Sequence, residues 1–457
     1  MDNDQVNPES AEPIPPAEIT RDFFLVAHSD FGRRVYRPRI AHQELKSRLA
    51  RSGAVLIEGA RASGKTVLAQ MVAASRVMLD ADRSARRAAD VDPGLLLRGE
   101  TPRLIDEWQL VPEVWNHVRH AVDERTGRGH FILTGSAVPP DDITRHTGAG
   151  RITRLRLRPM SLVELGRSTG EVSLARLLAG RPVSSVEATL SVDEIAELVC
   201  VGGWPGHLGA SEEDSPRSPE DAMEENRDYL GEIRRTDIQR VDGVGRDPER
   251  VGQFLQSLGR NVATCASLAT LARDLSGPDR DLDHHTARSY MSALERLMIV
   301  EDQPPWAPHL RSRSRLRTAA KRHFVDPSLA VAALSATPEH LLHDFEWFGL
   351  LFESMVVRDL RVYAQASGAS VYHYRDNTDL EVDAVVDAGP GCWAAFEIKL
   401  GARRIDQAVR ALLKFAGRVD TERCGEPAAL GVIVGSGGYG YTRPDGVAVI
   451  PVGALGV

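Results

Sequence analysis

Gly59-Ala60-Arg61-Ala62-Ser63-Gly64-Lys65-Thr66 fits G-x-x-x-x-G-K-[ST] at every fixed position, the spacing of a loop that closes on phosphate oxygens. The glycines let backbone N–H groups turn toward an anion, and a helix starting at the lysine adds free donors and a favourable dipole. In this arrangement Lys65 reaches the outer phosphates of a nucleotide and the Thr66 hydroxyl ligates Mg²⁺. Downstream, the apolar run Leu104-Ile105 closes on Asp106-Glu107. Asp106 suits the Mg²⁺ shell and Glu107 suits polarising the attacking water. Thr134 and Ser136, at the end of another apolar run, offer a polar sensor beside the last phosphate or a cap for the next turn. Arg151 reads either as an arginine delivered across a subunit interface or as one surface arginine among Arg154, Arg156 and Arg158.

A second constellation lies far along the chain. Period-2 alternation in Trp393-Ala394-Ala395-Phe396-Glu397-Ile398-Lys399 puts Glu397 and Lys399 on one face and Phe396 and Ile398 on the other. With Leu380–Val386 as a neighbouring strand, Asp383 faces Glu397. Two such carboxylates can hold Mg²⁺, and a lysine beside them can activate water. The bland alternative is a solvated strand with a Glu/Lys pair.

These residues need a scaffold. Ala54–Ile57 reads as a buried strand entering the phosphate loop, and residues 67–73 as the helix leaving it. Further strands are expected at 76–80, 102–107, 131–136 and 152–157, with helices at 84–92 and 112–124. Strands alternating with helices indicate a parallel sheet, with ligands at the carboxyl ends of its strands. Residues 159–210 read as helices and loops, and 212–225, with seven acids and one arginine, as an exposed linker. Helices at 266–275 and 285–297 before a strand at 298–301 suggest a winged helix-turn-helix. A long helix at 341–365 and strands at 370–374, 380–386, 393–398, 429–434 and 447–450 indicate a second α/β domain, with a further helix at 403–417.

Bulk properties narrow the class. The composition is that of a globular protein, 42% hydrophobic and 26% charged. A net charge of −8 argues against a general nucleic-acid coat. The four cysteines are scattered, with no C-x-x-C pair, which points to reduced thiols and a cytoplasmic setting. No apolar run approaches the roughly 20 residues of a membrane helix. Residues 1–20 hold four prolines, five acids and no base, the composition of a disordered tail. Residues 311–323 hold six Lys/Arg and no acid, a surface for DNA phosphates or a loop that docks on the chain's own acids.

Several stretches together resemble the AAA+ superfamily ATPases that carry a C-terminal domain of unknown function. They are Ile57–Thr66, Leu104–Gln109, Phe131–Ser136, Gly150-Arg151, Pro159–Leu165, Gly202-Gly203-Trp204-Pro205 and Phe324-Val325-Asp326-Pro327. The resemblance covers about residues 34–435. It departs at Ala62-Ser63, where Gln-Val is usual, and at Asp326-Pro327-Ser328, where Asp-Thr-Gly is usual. It implies an α/β fold in three parts: a P-loop AAA+ domain (34–165) after a tail (1–33), a helical lid and winged-helix region (166–310), and a restriction-endonuclease-like domain (311–457). Asp383 with Glu397-x-Lys399 is similar to the PD-(D/E)XK nuclease core, Glu353 fitting its additional acid and Val382 replacing its proline. Two functions follow. One is an Mg²⁺-dependent ATPase that drives a DNA-binding or nuclease-like module, acting as a homo-oligomer if Arg151 completes a neighbour's site. The other is an ATP-dependent switch whose C-terminal domain only binds.

Overall fold

The computed structural model describes residues 37–137, 147–184, 186–188, 190–209, 215–274, 284–307, 319–435 and 438–457. The expected acidic tail and most of the basic run lie outside these residues. Five strands, β1 (Ala54–Glu58), β2 (Ser75–Met78), β3 (Arg103–Asp106), β4 (Phe131–Gly135) and β5 (Ile152–Arg156), form a wholly parallel sheet in the order β2-β3-β4-β1-β5. Strand β1 is apolar from Ala54 to Ile57 because helices cover both of its faces. Ala54 and Leu56 pack with Trp115 and Val118 of the helix Val114–Glu124. Val55 and Ile57 pack with Leu45 and Leu49 of the helix Ala41–Arg51 and with Leu68. Each fully buried aliphatic side chain of this kind contributes about 1.5–3 kcal/mol. Parallel pairing brings the ends of β1, β3 and β4 to one edge of the sheet.

The second sheet has seven strands in the order β7-β12-β13-β11-β10-β9-β8. Six come from the C-terminal part: β8 (Ser370–Arg375), β9 (Glu381–Asp387), β10 (Trp393–Lys399), β11 (Ala429–Val434), β12 (Gly438–Thr442) and β13 (Ala448–Pro451). The seventh, β7 (Val186–Ala188), comes from before the middle helices and pairs antiparallel with β12. The short β6 (Val172–Ser173) pairs parallel with β14 (Leu455–Gly456). The segment after residue 165 thus pairs with strands of the C-terminal part before the chain enters the middle helices. Strands this short carry too few alternating residues to be read from sequence.

The linker expected over 212–225 is corrected from residue 219 onward. A helix runs from Pro219 to Glu232, with Ala222 and Met223 buried. Ser218 caps it, proline occupies its first turn, and Glu220 and Asp221 complement its dipole. From Pro219 onward the charge run is the solvated face of a helix. The helices Leu268–Arg273 and His284–Arg296 lie where a helix-turn-helix was expected. Antiparallel bridges Val300↔Phe324 and Gln303↔Lys321 follow. The helix Phe345–Ala366 is buried along most of its length in a core shared by the middle and C-terminal parts. Among the described residues, no helix is long and apolar enough to cross a membrane.

Candidate functional site

The phosphate loop leaves β1 at Gly59 and enters the helix Lys65–Gln70. A Cβ on Gly59 would lie 2.1 Å from the Leu157 carbonyl oxygen, so only glycine fits there. Gly64 sits at φ +93°, in the left-handed region that glycine occupies without strain. The Lys65 ammonium is buried and donates to the carbonyl oxygens of Gly59, at 2.9 Å, and Ala60, at 2.8 Å. Burial lowers the Lys65 pKa to about 8, against opposing fields from Glu107 and Asp106.

Asp106 ends β3 and is 2% exposed. Its Oδ1 accepts from Thr66 Oγ1 at 2.9 Å and from Thr134 Oγ1. Burial raises the Asp106 carboxyl, and the two hydroxyls offset part of that rise. A hydroxyl beside a carboxylate is the hard oxygen donor set that Mg²⁺ takes, so Thr66 and Asp106 fit that ion. Glu107 follows at φ 56°, a left-handed conformation uncommon outside glycine, asparagine and aspartate. The kink turns its side chain to the loop edge, where Glu107 Oε2 accepts from Ser136 Oγ at 3.1 Å and from Gln109 Nε2. The Thr134 hydroxyl also accepts from the Glu107 amide at 3.2 Å. Thr134 therefore buttresses Asp106, and Ser136 restrains Glu107.

The arrangement has partners that the motifs did not indicate. Arg39, 4% exposed, donates to the Ser63 carbonyl at 2.8 Å. Tyr229 donates to the Arg61 carbonyl at 3.2 Å, and Arg61 pairs with Asp237 at 3.5 Å. Arg39 lies in the lead-in to the first helix, where nothing local marks it. Gln109 sits within a motif stretch but carries no charge to draw attention. Arg151 lies elsewhere. Its carbonyl accepts from the Ala54 amide at the amino ends of the strands, opposite the phosphate loop, and its exposed side chain pairs with Asp123 at 2.9 Å. It cannot serve the site of its own chain.

The second constellation also assembles, with different chemistry. Pairing of Phe396 with Ala384 sets β10 against β9. Lys399 Nζ lies 2.7 Å from both Asp383 Oδ2 and Glu397 Oε2. Lys321, 2% exposed, lies 2.7 Å from Glu353 Oε1 and from Glu381 Oε1, and 3.6 Å from Asp383 Oδ1. Glu353, Asp383 and Glu397, the acids expected to hold a metal, lie in a four-acid cluster with Glu381 that two ammonium groups thread. Among the described residues, no group of three His, Cys, Asp or Glu side chains is arranged to hold a metal ion. Each lysine places a cation in contact with two of these carboxylates. Burial raises Glu353 to about 7 and Glu397 to about 8. Burial would raise Asp383 too, but Lys399 and Lys321 outweigh it and hold that carboxyl below its usual range. Lys321 belongs to the basic run, so at this residue the run docks on the chain's own acids.

Residues 51–166 match the family model of an AAA domain. Residues 192–340 and 348–455 match two domains of unknown function, DUF8612 and DUF4143. The uncharacterized proteins Rv2008c of Mycobacterium tuberculosis and Mb2031c of Mycobacterium bovis are each 26% identical over 365 residues, 79% of this chain and 73% of theirs. Among solved structures, the Walker-type ATPase PABY2304 of Pyrococcus abyssi is 12% identical, with 64% of this chain and 94% of that one covered and a TM-score of 0.37. The ORC1 protein of Aeropyrum pernix, solved in complex with DNA, is 14% identical, with 67% and 94% covered and a TM-score of 0.27. The family match, the loop motif and the parallel sheet together identify residues 51–166 as an AAA-type, ATP-binding P-loop ATPase domain.

Proposed function

We propose that this domain hydrolyses ATP with Mg²⁺ and works as a switch for a C-terminal module that binds without cutting. The observation that carries the hydrolytic half is the meeting of Lys65, Thr66, Asp106 and Glu107 at one sheet edge. The loop amides of residues 59–66 wrap the phosphates, and the Lys65 ammonium neutralises charge on the outer ones. Thr66 and Asp106 would hold the Mg²⁺, which would supply charge neutralisation for the phosphates. Glu107, released from Ser136, orients and deprotonates the attacking water. Arg151 could act only on the site of a second copy, which makes a homo-oligomer the form in which it contributes.

Lys65 gives this site a pH signature. Phosphate oxygens favour the ammonium over the amine, and in the free protein that ammonium is lost near pH 8. ATP affinity is therefore expected to fall as pH rises from about 7 to about 9. Titration with a fluorescent ATP analogue across that range checks it, and flat affinity contradicts it.

The binding-only half rests on Lys321, whose ammonium fills the acid cluster where a nuclease would need a metal. The winged-helix reading of residues 266–301 and the endonuclease-like reading of the C-terminal sheet belong to the same proposal, with DNA as a candidate ligand. Incubating the chain with single- and double-stranded DNA and Mg²⁺ or Mn²⁺ tests it. Intact DNA is the expected result. Metal-dependent cutting that Asp383→Ala abolishes would overturn it in favour of the nuclease.

A further inference from the structure

Three sequence stretches take no part in the chemistry above: Pro159–Leu165, Gly202–Pro205 and Phe324–Pro327. All three converge on one buried polar chain. It starts at the phosphate loop, where Arg39 Nη1 donates to the Ser63 carbonyl at 2.8 Å. The same guanidinium donates through Nε to Glu164 Oε1 at 3.0 Å and through Nη2 to the Arg158 carbonyl at 2.6 Å. Glu164 in turn accepts from the amide and hydroxyl of Ser161, at 2.9 and 3.1 Å. One residue on, the Leu162 amide donates to Asp359 Oδ2 at 3.0 Å, across to the helix Phe345–Ala366. The other oxygen of Asp359 accepts from Arg358 Nη2 at 2.7 Å, and Arg358 Nη1 donates to Asp326 Oδ2 at 2.7 Å. That oxygen also accepts from the Gly203 amide at 3.0 Å.

The chain then returns to its origin. Trp204 Nε1 donates to Ser328 Oγ at 2.9 Å, and the Trp204 ring lies 5.2 Å from that of Tyr229. The Tyr229 hydroxyl donates to the Arg61 carbonyl at 3.2 Å. The circuit thus grips the phosphate loop at two carbonyls, those of Arg61 and Ser63, and runs through the C-terminal helix between them. Arg39, Glu164, Asp326, Arg358 and Asp359 are each 9% exposed or less. Gly202 is forced by this packing: a Cβ there would meet Ser328 Oγ at 2.3 Å and Asp326 Oδ1 at 2.5 Å.

We infer that Arg39 is a positioning residue for the phosphate loop and the head of a relay that couples nucleotide binding to the helix Phe345–Ala366. The inference rests on the ATPase reading above and adds the route by which the nucleotide is felt elsewhere. Phosphate binding requires Lys65 to leave the Gly59 and Ala60 carbonyls and the loop amides to turn toward oxygen. Ser63 and Arg61 sit in that turn, so their carbonyls differ in position between the two loop arrangements. A nucleotide shifts a conformational equilibrium only through such differential contacts. Buried ion pairs with few alternative partners transmit the shift because a broken one leaves an uncompensated charge. Glu353, which holds Lys321, lies on the same helix as Arg358 and Asp359.

Arg39→Lys keeps the charge opposite Glu164, but one amine cannot serve three divergent acceptors. It is expected to bind ATP while losing roughly 100-fold in kcat, the cost of a misplaced loop. Hydrogen exchange supplies the second readout. In the wild type, Mg·ATP should change the protection of amides 354–362. In Arg39→Lys, and independently in Asp359→Asn, that change should disappear while a fluorescent ATP analogue still binds. A wild-type helix that ignores bound ATP overturns the relay and leaves the ATPase reading intact, as does an undiminished response in Arg39→Lys. Absence of ATP binding by the wild type overturns both.

Discussion

Glu107→Gln is expected to bind ATP and to hydrolyse it roughly 10²–10⁴-fold more slowly than the wild type, the usual contribution of a positioned general base. The amide is isosteric with the carboxyl and can keep a hydrogen bond to Ser136, so the left-handed turn at residue 107 and the Asp106 side chain have no reason to move. What it cannot do is take a proton. Single-turnover hydrolysis of radiolabelled ATP, with binding measured separately, separates the two effects. Equal loss of binding and turnover would mean that Glu107 only shapes the loop. The neighbouring Asp106→Ala should behave differently, because Asp106 also holds Thr66 and Thr134.

Lys321→Met should cost about 3–5 kcal/mol of stability, the loss seen when one partner of a buried ion pair is removed. Lys321 is almost fully buried, and its loss leaves Glu353 and Glu381 without a cation in contact through that side chain. The loss should depend on pH. Glu353 and Glu397 are raised above their unfolded range, so the native state binds more protons than the unfolded state and stability falls as pH rises toward about 7 to 8. Removing the ammonium lifts the carboxyls further and extends that fall to higher pH. The gap between wild type and variant is therefore expected to be wider at about pH 8 than at about pH 5.5. Urea unfolding at the two pH values checks it. An equal gap would show that the lysine acts through its alkyl stem and not through its charge.

Local pattern carried much of the architecture. The run Ala54–Ile57, the glycine spacing and the run ending at Asp106-Glu107 are each visible within about ten residues, and the parallel sheet assembles them as expected. Strands β8–β11 and β13 and the long helix also lie where alternation and length indicated. What the pattern could not show is partnership across distance. Arg39 looks like any arginine before a helix until Glu164 and Ser63 close on it. Lys321 looks like one more residue of a solvated basic run until β9 and the long helix bury it. Alternation correctly set Glu397 and Lys399 on one face, and the same rule, applied to β9, also places Glu381 beside Asp383. Yet whether carboxylates hold a metal or an ammonium depends on a residue some sixty positions away. The segment 166–190 escaped for the opposite reason: its strands are too short to alternate, and they form only because the edges of a distant sheet offer unpaired backbone.

The central claim is that Gly59–Thr66, Asp106 and Glu107 form a hydrolytic site for Mg·ATP. Phosphate release from ATP by the purified chain, with Mg²⁺ or with EDTA, and by Lys65→Ala, tests it most directly. The expected result is turnover that requires Mg²⁺ and vanishes in Lys65→Ala. Turnover that survives in Lys65→Ala, or a wild type that neither binds nor hydrolyses ATP, would contradict it.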